Sequence, residues 1–478
     1  MIRYVTRLQL GKILCGLALA ASLLPALRAT ADDRSTSRSN HVRATMEFLA
    51  SDALRGRGSA TQDEWVAATY IASQLRQYGV EPAEATGGYL QRVELTRTEL
   101  AAPPVLTAGD RRLAHGQEML VVAMAAAAIA GPLQKIDARG EGPSLAPHRG
   151  AVVLLMPKTE EGAPSRNRQA LDLIRKGAVA VLLEASPQAK ARWTEMGGRL
   201  PDLPTRLRGS EEVAGLVDFT AVALNAEAFA QITQLADGTP MRLEAATREP
   251  IEETSWNVVG RLRGSDPARR GEAVLLSAHL DHVGMGAPVN GDSIYNGADD
   301  DASGVAAVLE LARTLASGPR PKRTVIFALY GSEEKGGFGS TYFRANSPVA
   351  LENIVANLQF EMIGRPDAAV AAKTLWLTGY ERSNLGAALA RHGARLVADP
   401  HPSEGFFERS DNYVLAKRGV VAHTVSSYGL HKEYHQPADD LAHIDLEHMT
   451  DAIQSMIRPV RWLANTYFRP RWVEGKQP

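Results

Sequence analysis

From Trp256 onward the apolar residues come in two textures: short unbroken runs, and longer stretches that recur with helical spacing. The unbroken runs are Ala273–Leu280, Thr324–Tyr330, Ile354–Phe360, Thr374–Thr378 and Val420–Val425. A run without polar alternation reads as a strand covered on both faces, the environment of a parallel sheet. Helical stretches fall between and after them, at Ser303–Ala316, Asn384–His392 and about Asp445–Leu463. In the first, Val305, Val308, Leu309, Ala312 and Leu315 form one apolar stripe. The alternation predicts an α/β fold with a largely parallel central sheet and helices on both faces.

Upstream the pattern differs. Between His41 and Gly79 the residues Ala67, Tyr70, Ile71, Leu75 and Tyr78 predict one amphipathic helix ending at the glycine, followed by a strand at Tyr89–Leu95. Gly150–Met156, Gly177–Glu184 and Phe219–Leu224 are short β-rich runs, with a helical stretch at Gln169–Arg175 and seven prolines between Pro103 and Pro164 marking loops. They predict a small separate module, so the chain divides into 1–31, 32–105, 106–244 and 245–478. A length of 478 residues suits two or three domains at about 150 residues each.

Composition adds where the protein works and what it does not bind. Arg3, Arg7 and Lys12 precede the apolar run Ile13–Leu27, and Ala29-Thr30-Ala31 offers a small-x-small cleavage site. This is the pattern of a secretory signal peptide, too short for a span of about 20 residues, and predicts a periplasmic or secreted protein with no stable membrane anchor after cleavage. Cys15 is the only cysteine and lies in that segment, so the mature chain is expected to have no disulfide and no thiolate ligand. A net charge of -1 supplies no global field toward nucleic acid.

The chemistry concentrates between Ser277 and Glu334. His279-Leu-Asp281, Asp299-Asp300-Asp301 and Glu333-Glu334 bring imidazole and carboxylate donors to strand ends or just past them, and Glu361 follows a further strand. Open α/β sheets bind ligands beyond the carboxyl ends of their strands, and these donor types hold zinc at open catalytic sites. A lone histidine is more often a core residue, and one aspartate before Ser303-Gly304 would be a helix cap. A second and third aspartate are costly to crowd beside it unless a cation compensates the charge. Of two neighbouring glutamates, one can bind metal while the other accepts a proton.

The segments SAHLDHVG, NGADDDASG, ALYGSEEKG, NLQFEMIGR and EYHQPADD resemble, in order, those of the secreted di-zinc aminopeptidases, a family with glutamate carboxypeptidase-like and glutaminyl cyclase-like branches. The likeness covers Trp256 to about Leu463, with a weaker one over His41–Gly79, and the module at about 106–244 resembles a protease-associated domain. It implies a three-layer zinc-peptidase fold and two zinc ions, one held by His279, Asp300 and Glu361, the other by Glu334, Asp300 and His435, with Asp300 bridging. It further implies Glu333 as general base, Asp281 behind His279, Tyr434 as oxyanion stabiliser, and a cis Asp300-Asp301 peptide. Glu361 stands where many relatives have aspartate; His401, His423 and His431 match no ligand position. The implied activity is a metallo-exopeptidase on peptide substrates, an aminopeptidase first. A dipeptidase, a carboxypeptidase, a cyclase with one zinc, or a non-catalytic binding protein remain open.

Overall fold

The computed structural model describes residues 39–83, 87–137, 147–156, 166–209 and 219–478. The segment 1–31, expected to be a signal peptide, lies outside them. Two compact units emerge, one from residues up to Val93 together with Ser255–Pro478, the other from Glu94–Thr254.

In the first unit the strands run, from one edge, Leu396–Ala398, Leu375–Leu377, Ala422–Ser426, Ile354–Phe360, Ala273–His279, Thr324–Tyr330, Ile251–Leu262 and Leu90–Arg97. The middle four, Ala422–Ser426 to Thr324–Tyr330, are mutually parallel, and antiparallel neighbours flank them. The sheet is therefore mixed with a parallel centre. Alternate residues of one strand feed opposite cores: Val325, Phe327 and Leu329 pack with the helices Gly304–Ala316 and Leu446–Asn465, while Ile326, Ala328 and Tyr330 pack with Phe343, Phe407 and Leu415. Burial on both faces explains why these runs lack alternation.

The region expected to be one helix is three pieces: a helix over 39–49, a 3₁₀ segment Asp52–Arg57 and a helix Gln62–Gln77. Thr61 caps the last by accepting the Glu64 N–H. The interruption is explained by Arg57, fully buried, whose guanidinium donates to the carbonyls of Leu49, Leu280, Asn296 and Gly297 at 2.5 to 3.0 Å. A continuous helix could not turn that side chain inward. Arg57 itself takes a positive φ of 48°.

The second unit is an eight-stranded sheet in the order Arg111–Ala114, Val105–Ala108, Pro240–Glu244, Ala128–Asp137, Val152–Met156, Ala180–Glu184, Ala221–Leu224, Met119–Ala123. Its long strand pairs antiparallel with Pro240–Glu244 through one half and parallel with Val152–Met156 through the other. Leu106, Met119, Leu154, Leu182, Val222, Ile232 and Leu243 fill its core.

His423, unassigned by any motif, is a core residue of the first unit. Its Nδ1 lies 2.7 Å from the Thr378 carbonyl and its Nε2 2.7 Å from the Ser383 hydroxyl, so the neutral ring is satisfied on both sides. Burial pushes its pKa down from 6.5 to about 4. The unfolded chain therefore binds the proton first as pH falls, and the stability the neutral ring contributes is full above about 6.5 and lost progressively toward 4, about 3 kcal/mol in all. Urea unfolding of wild type and His423→Gln should show a stability gap that narrows by this amount between pH 7.5 and 4; an unchanged gap would refute the assignment.

Candidate metal centre

Because the central strands are parallel and in register, with His279 opposite Tyr330, their carboxyl ends open on the same edge of the sheet. His279 ends one strand, Glu333 and Glu334 follow Tyr330, and Glu361 follows Phe360. The acidic triplet enters from the segment before the helix Gly304–Ala316, with Asp300-Asp301 joined by a cis peptide.

The three aspartates divide their tasks. Asp301 is a brace: Oδ2 accepts the His279 N–H at 3.2 Å, and Oδ1 accepts the N–H groups of Gly304 at 3.0 Å and Met362 at 3.1 Å. One carboxylate thus ties a strand end, a helix start and the segment after Glu361. Asp299 accepts the Gly364 N–H at 2.7 Å and contacts His431 Nε2 at 3.0 Å. Asp300 alone turns both oxygens to imidazoles. Its Oδ1 lies 3.1 Å from His279 Nε2, and its Oδ2 lies 3.1 Å from His435 Nε2 and 3.8 Å from His282 Nδ1.

That arrangement suits a carboxylate shared between two positions. On one side stand His279 and, nearby, Glu361, whose carboxylate accepts a hydrogen bond from Ser410. On the other, His282, Asp300, Glu334 and His435 present four ligand atoms within 4.8 Å of one another. His282 Nδ1, Glu334 Oε1 and His435 Nε2 are buried without a hydrogen-bond partner. Orphaned polar atoms at a common point are costly, and imidazole with carboxylate is the donor chemistry of zinc. The residues fit such an ion.

The electrostatics agree. Burial pushes the Asp300 carboxyl up, but His279, His435 and His282 outweigh it and hold it well below the usual range. Burial lowers His435, yet Asp300 and Glu334 raise it to about 10. Glu361 is pushed up to about 7, by burial first and then by Asp300 and Asp411 against His279. Desolvation, with Asp411, Glu334 and Glu361, likewise raises Glu333 despite His279. A carboxyl raised in this way is suited to exchanging protons near neutrality.

Asp281 braces more than the His279 ring it faces. Its carboxylate is 3.8 Å from His279 Nδ1, which is instead 3.3 Å from the Asp281 backbone oxygen. The carboxylate accepts the N–H groups of Glu333 at 3.0 Å and Glu334 at 3.3 Å, and a hydrogen bond from Ser59. Asp281 therefore sets the turn carrying both glutamates. Ser332, Met362 and His435 adopt positive φ of 51 to 53°, so the backbone is held off its preferred regions beside three of the site residues.

Several contributors escaped the sequence reading. His282 lies in the quoted SAHLDHVG segment, and its signal was a second histidine three residues after His279 on an extended chain. Asp439, in EYHQPADD, accepts the N–H groups of Asp299 and Asp300 at 3.0 to 3.1 Å. Glu64, fully buried, accepts the Ser332 N–H at 3.1 Å and the Ala60 N–H at 2.6 Å. Of the unmatched histidines, His401 contacts Asp367 at 2.8 Å and His431 contacts Asp299, while Tyr434 stacks on His435 with ring centroids 3.9 Å apart. A cleft opens beside Glu361, walled by Trp376, Phe406, Tyr428 and Tyr434.

Residues 257–460 match the model of peptidase family M28. The chain is 36% identical over 120 residues to a protein of Pyrenophora tritici-repentis named "Probable zinc metalloprotease", covering 25% of this chain and 24% of that one. It is 39% identical over 114 residues to an aminopeptidase of Pseudomonas aeruginosa, covering 24% and 19%. The matched segments thus span about a quarter or less of these relatives. Among solved structures, the aminopeptidase from Aneurinibacillus sp. strain AM-1 superposes with a TM-score of 0.54 at 20% identity, over 91% of this chain and 95% of that one, a likeness of fold.

Asp281→Asn turns an amide donor toward one of the two N–H groups. Hydrogen exchange of the Glu333 and Glu334 amides should accelerate, and zinc affinity by chelator competition should fall about 10- to 100-fold. Unchanged exchange at both amides would remove Asp281 from that turn.

Proposed function

We propose, from the match of residues 257–460 to the model of peptidase family M28, that the protein is a zinc-dependent exopeptidase, an aminopeptidase that releases N-terminal residues from peptides and uses two ions per chain. The observation that carries this reading is Asp300, whose two oxygens face separate imidazoles while a raised, partly exposed Glu333 stands beside them unligated. Bound zinc would supply a polarised carbonyl and a water acidic enough to lose its proton near neutrality. His279, Asp300 and Glu361 would hold one ion, and Glu334, Asp300 and His435 the other.

Glu333 takes the proton from the attacking water and delivers it to the leaving amine. Tyr434 keeps its hydroxyl protonated, because burial and then Asp300, Glu334 and Glu361 push its pKa up, so it can donate to a developing oxyanion. The aromatic wall of the cleft receives an apolar side chain. Glu361, which lines the cleft, gives it an acidic end that suits a free ammonium and favours the N-terminus of a peptide over its carboxylate end. Arg409 also lines the cleft, but its guanidinium stacks on Phe406 at 5.0 Å. The basic and apolar N-terminal sequence supports export as the route to the working location. Among the described residues no helix is long and apolar enough to cross a membrane.

Hydrolysis of aminoacyl anilides, N-acetylated counterparts and C-terminal peptides tests the reading. Free-amine substrates should be cleaved and acetylated ones refused, with activity lost to chelator and restored by zinc; chelator-insensitive turnover would sink it. Glu333→Gln should keep its metal and lose about 10²- to 10⁴-fold in kcat, and a metal-replete variant of near wild-type rate would exclude Glu333.

A further inference from the structure

We propose that His282 is a direct ligand of the ion at Glu334 and His435, giving that position two imidazoles and two carboxylates and making it the tighter of the two. The inference rests on the metal reading above and adds to it a residue and an order of filling. A four-coordinate zinc with bonds of about 2.0 to 2.1 Å separates its ligand atoms by about 3.3 Å. The observed separations straddle that value: His282 Nδ1 to Glu334 Oε1 2.9 Å and to Asp300 Oδ2 3.8 Å, and His435 Nε2 to Asp300 Oδ2 and to Glu334 Oε2 3.1 Å each. Although His282 Nδ1 and Glu334 Oε1 are close, neither has an aligned hydrogen-bond partner. Two atoms that face a shared point rather than each other behave as ligands of one ion.

The surrounding chain is built for the ring. His282 is wholly buried, and its N–H is pinned to the Arg57 carbonyl at 3.1 Å. Its face lies against Gly297, where a Cβ would collide with the imidazole and where φ is +59°. His282 and His435 meet edge to face with centroids 5.4 Å apart, which lets both rings aim at one centre without clashing.

A consequence is asymmetry. Four protein donors complete a tetrahedron and leave the ion at His282 closed in the manner of structural zinc, whereas His279, Asp300 and Glu361 supply three and leave a position open. The three-donor position is also the one beside the aromatic cleft, because Glu361 lines it. The ion at His282 anchors the site and the ion at Glu361 meets the substrate.

X-ray absorption on the wild-type protein loaded with one equivalent of zinc tests the coordination without any variant. Two imidazoles per ion are expected, since without His282 either position would offer only one. His282→Ala, with its fold checked by circular dichroism and metal-free thermal unfolding, should weaken the first zinc by about 10²-fold or more and leave about one ion after dialysis. A single imidazole at one equivalent, or two ions held by a folded His282→Ala with wild-type affinity, overturns the inference while leaving the peptidase reading intact. No zinc bound by the wild type would overturn both.

Discussion

Everything at this site follows from crowding more carboxylates under the end of a sheet than water can solvate. Asp281, Asp299, Asp300, Asp301, Asp411 and Asp439 are buried, and Glu333, Glu334 and Glu361 are partly so. A charge removed from water must find an opposite charge or several hydrogen-bond donors, or take up a proton. The protein uses each remedy at a different residue. Asp301, Asp299 and Asp281 are satisfied by backbone N–H groups from four segments. Asp300 and Glu334 draw on imidazoles, and Glu333 and Glu361 are raised.

The same hydrogen bonds that neutralise the braces also fix the geometry of what they leave free. Asp301 cannot satisfy Met362 and His279 together unless the ends of two strands are held together, and that restraint carries Glu361 and His279 to Asp300. Asp281 turns Glu333 and Glu334 in different directions, so that one faces the imidazoles and the other is left to move a proton. Behind them Arg57 and Glu64, from the broken N-terminal helix, reach inward to carbonyls and to the Ser332 N–H. Ordering that segment is therefore part of ordering the site.

Much of this was legible before any coordinates. The unbroken strands Thr324–Tyr330 and Ile354–Phe360 coincide with their observed limits, because burial on both faces leaves a signature independent of partners. The ordered motifs fall within the segment 257–460 that matches the model of peptidase family M28. The helix predicted over His41–Gly79 is broken in the structure, since periodicity reports which face is apolar and not whether a buried arginine needs the chain to turn. The place of His282 is not legible in the sequence, because a histidine next to an acidic motif looks the same whether its ring points to solvent, to a carboxylate or to an ion.

The sequence by itself determined the strand and helix alternation, the edge of the sheet where function would gather, and the supply of imidazoles and carboxylates there. These are local properties: side-chain period, residue type and position relative to a strand end. Only the tertiary structure decided how the nine acids divide between bracing and binding, and that the His282 ring lies among Asp300, Glu334 and His435. Those assignments depend on which N–H group or imidazole reaches which oxygen across tens or hundreds of residues of chain, a matter of distances that the order of residues does not contain.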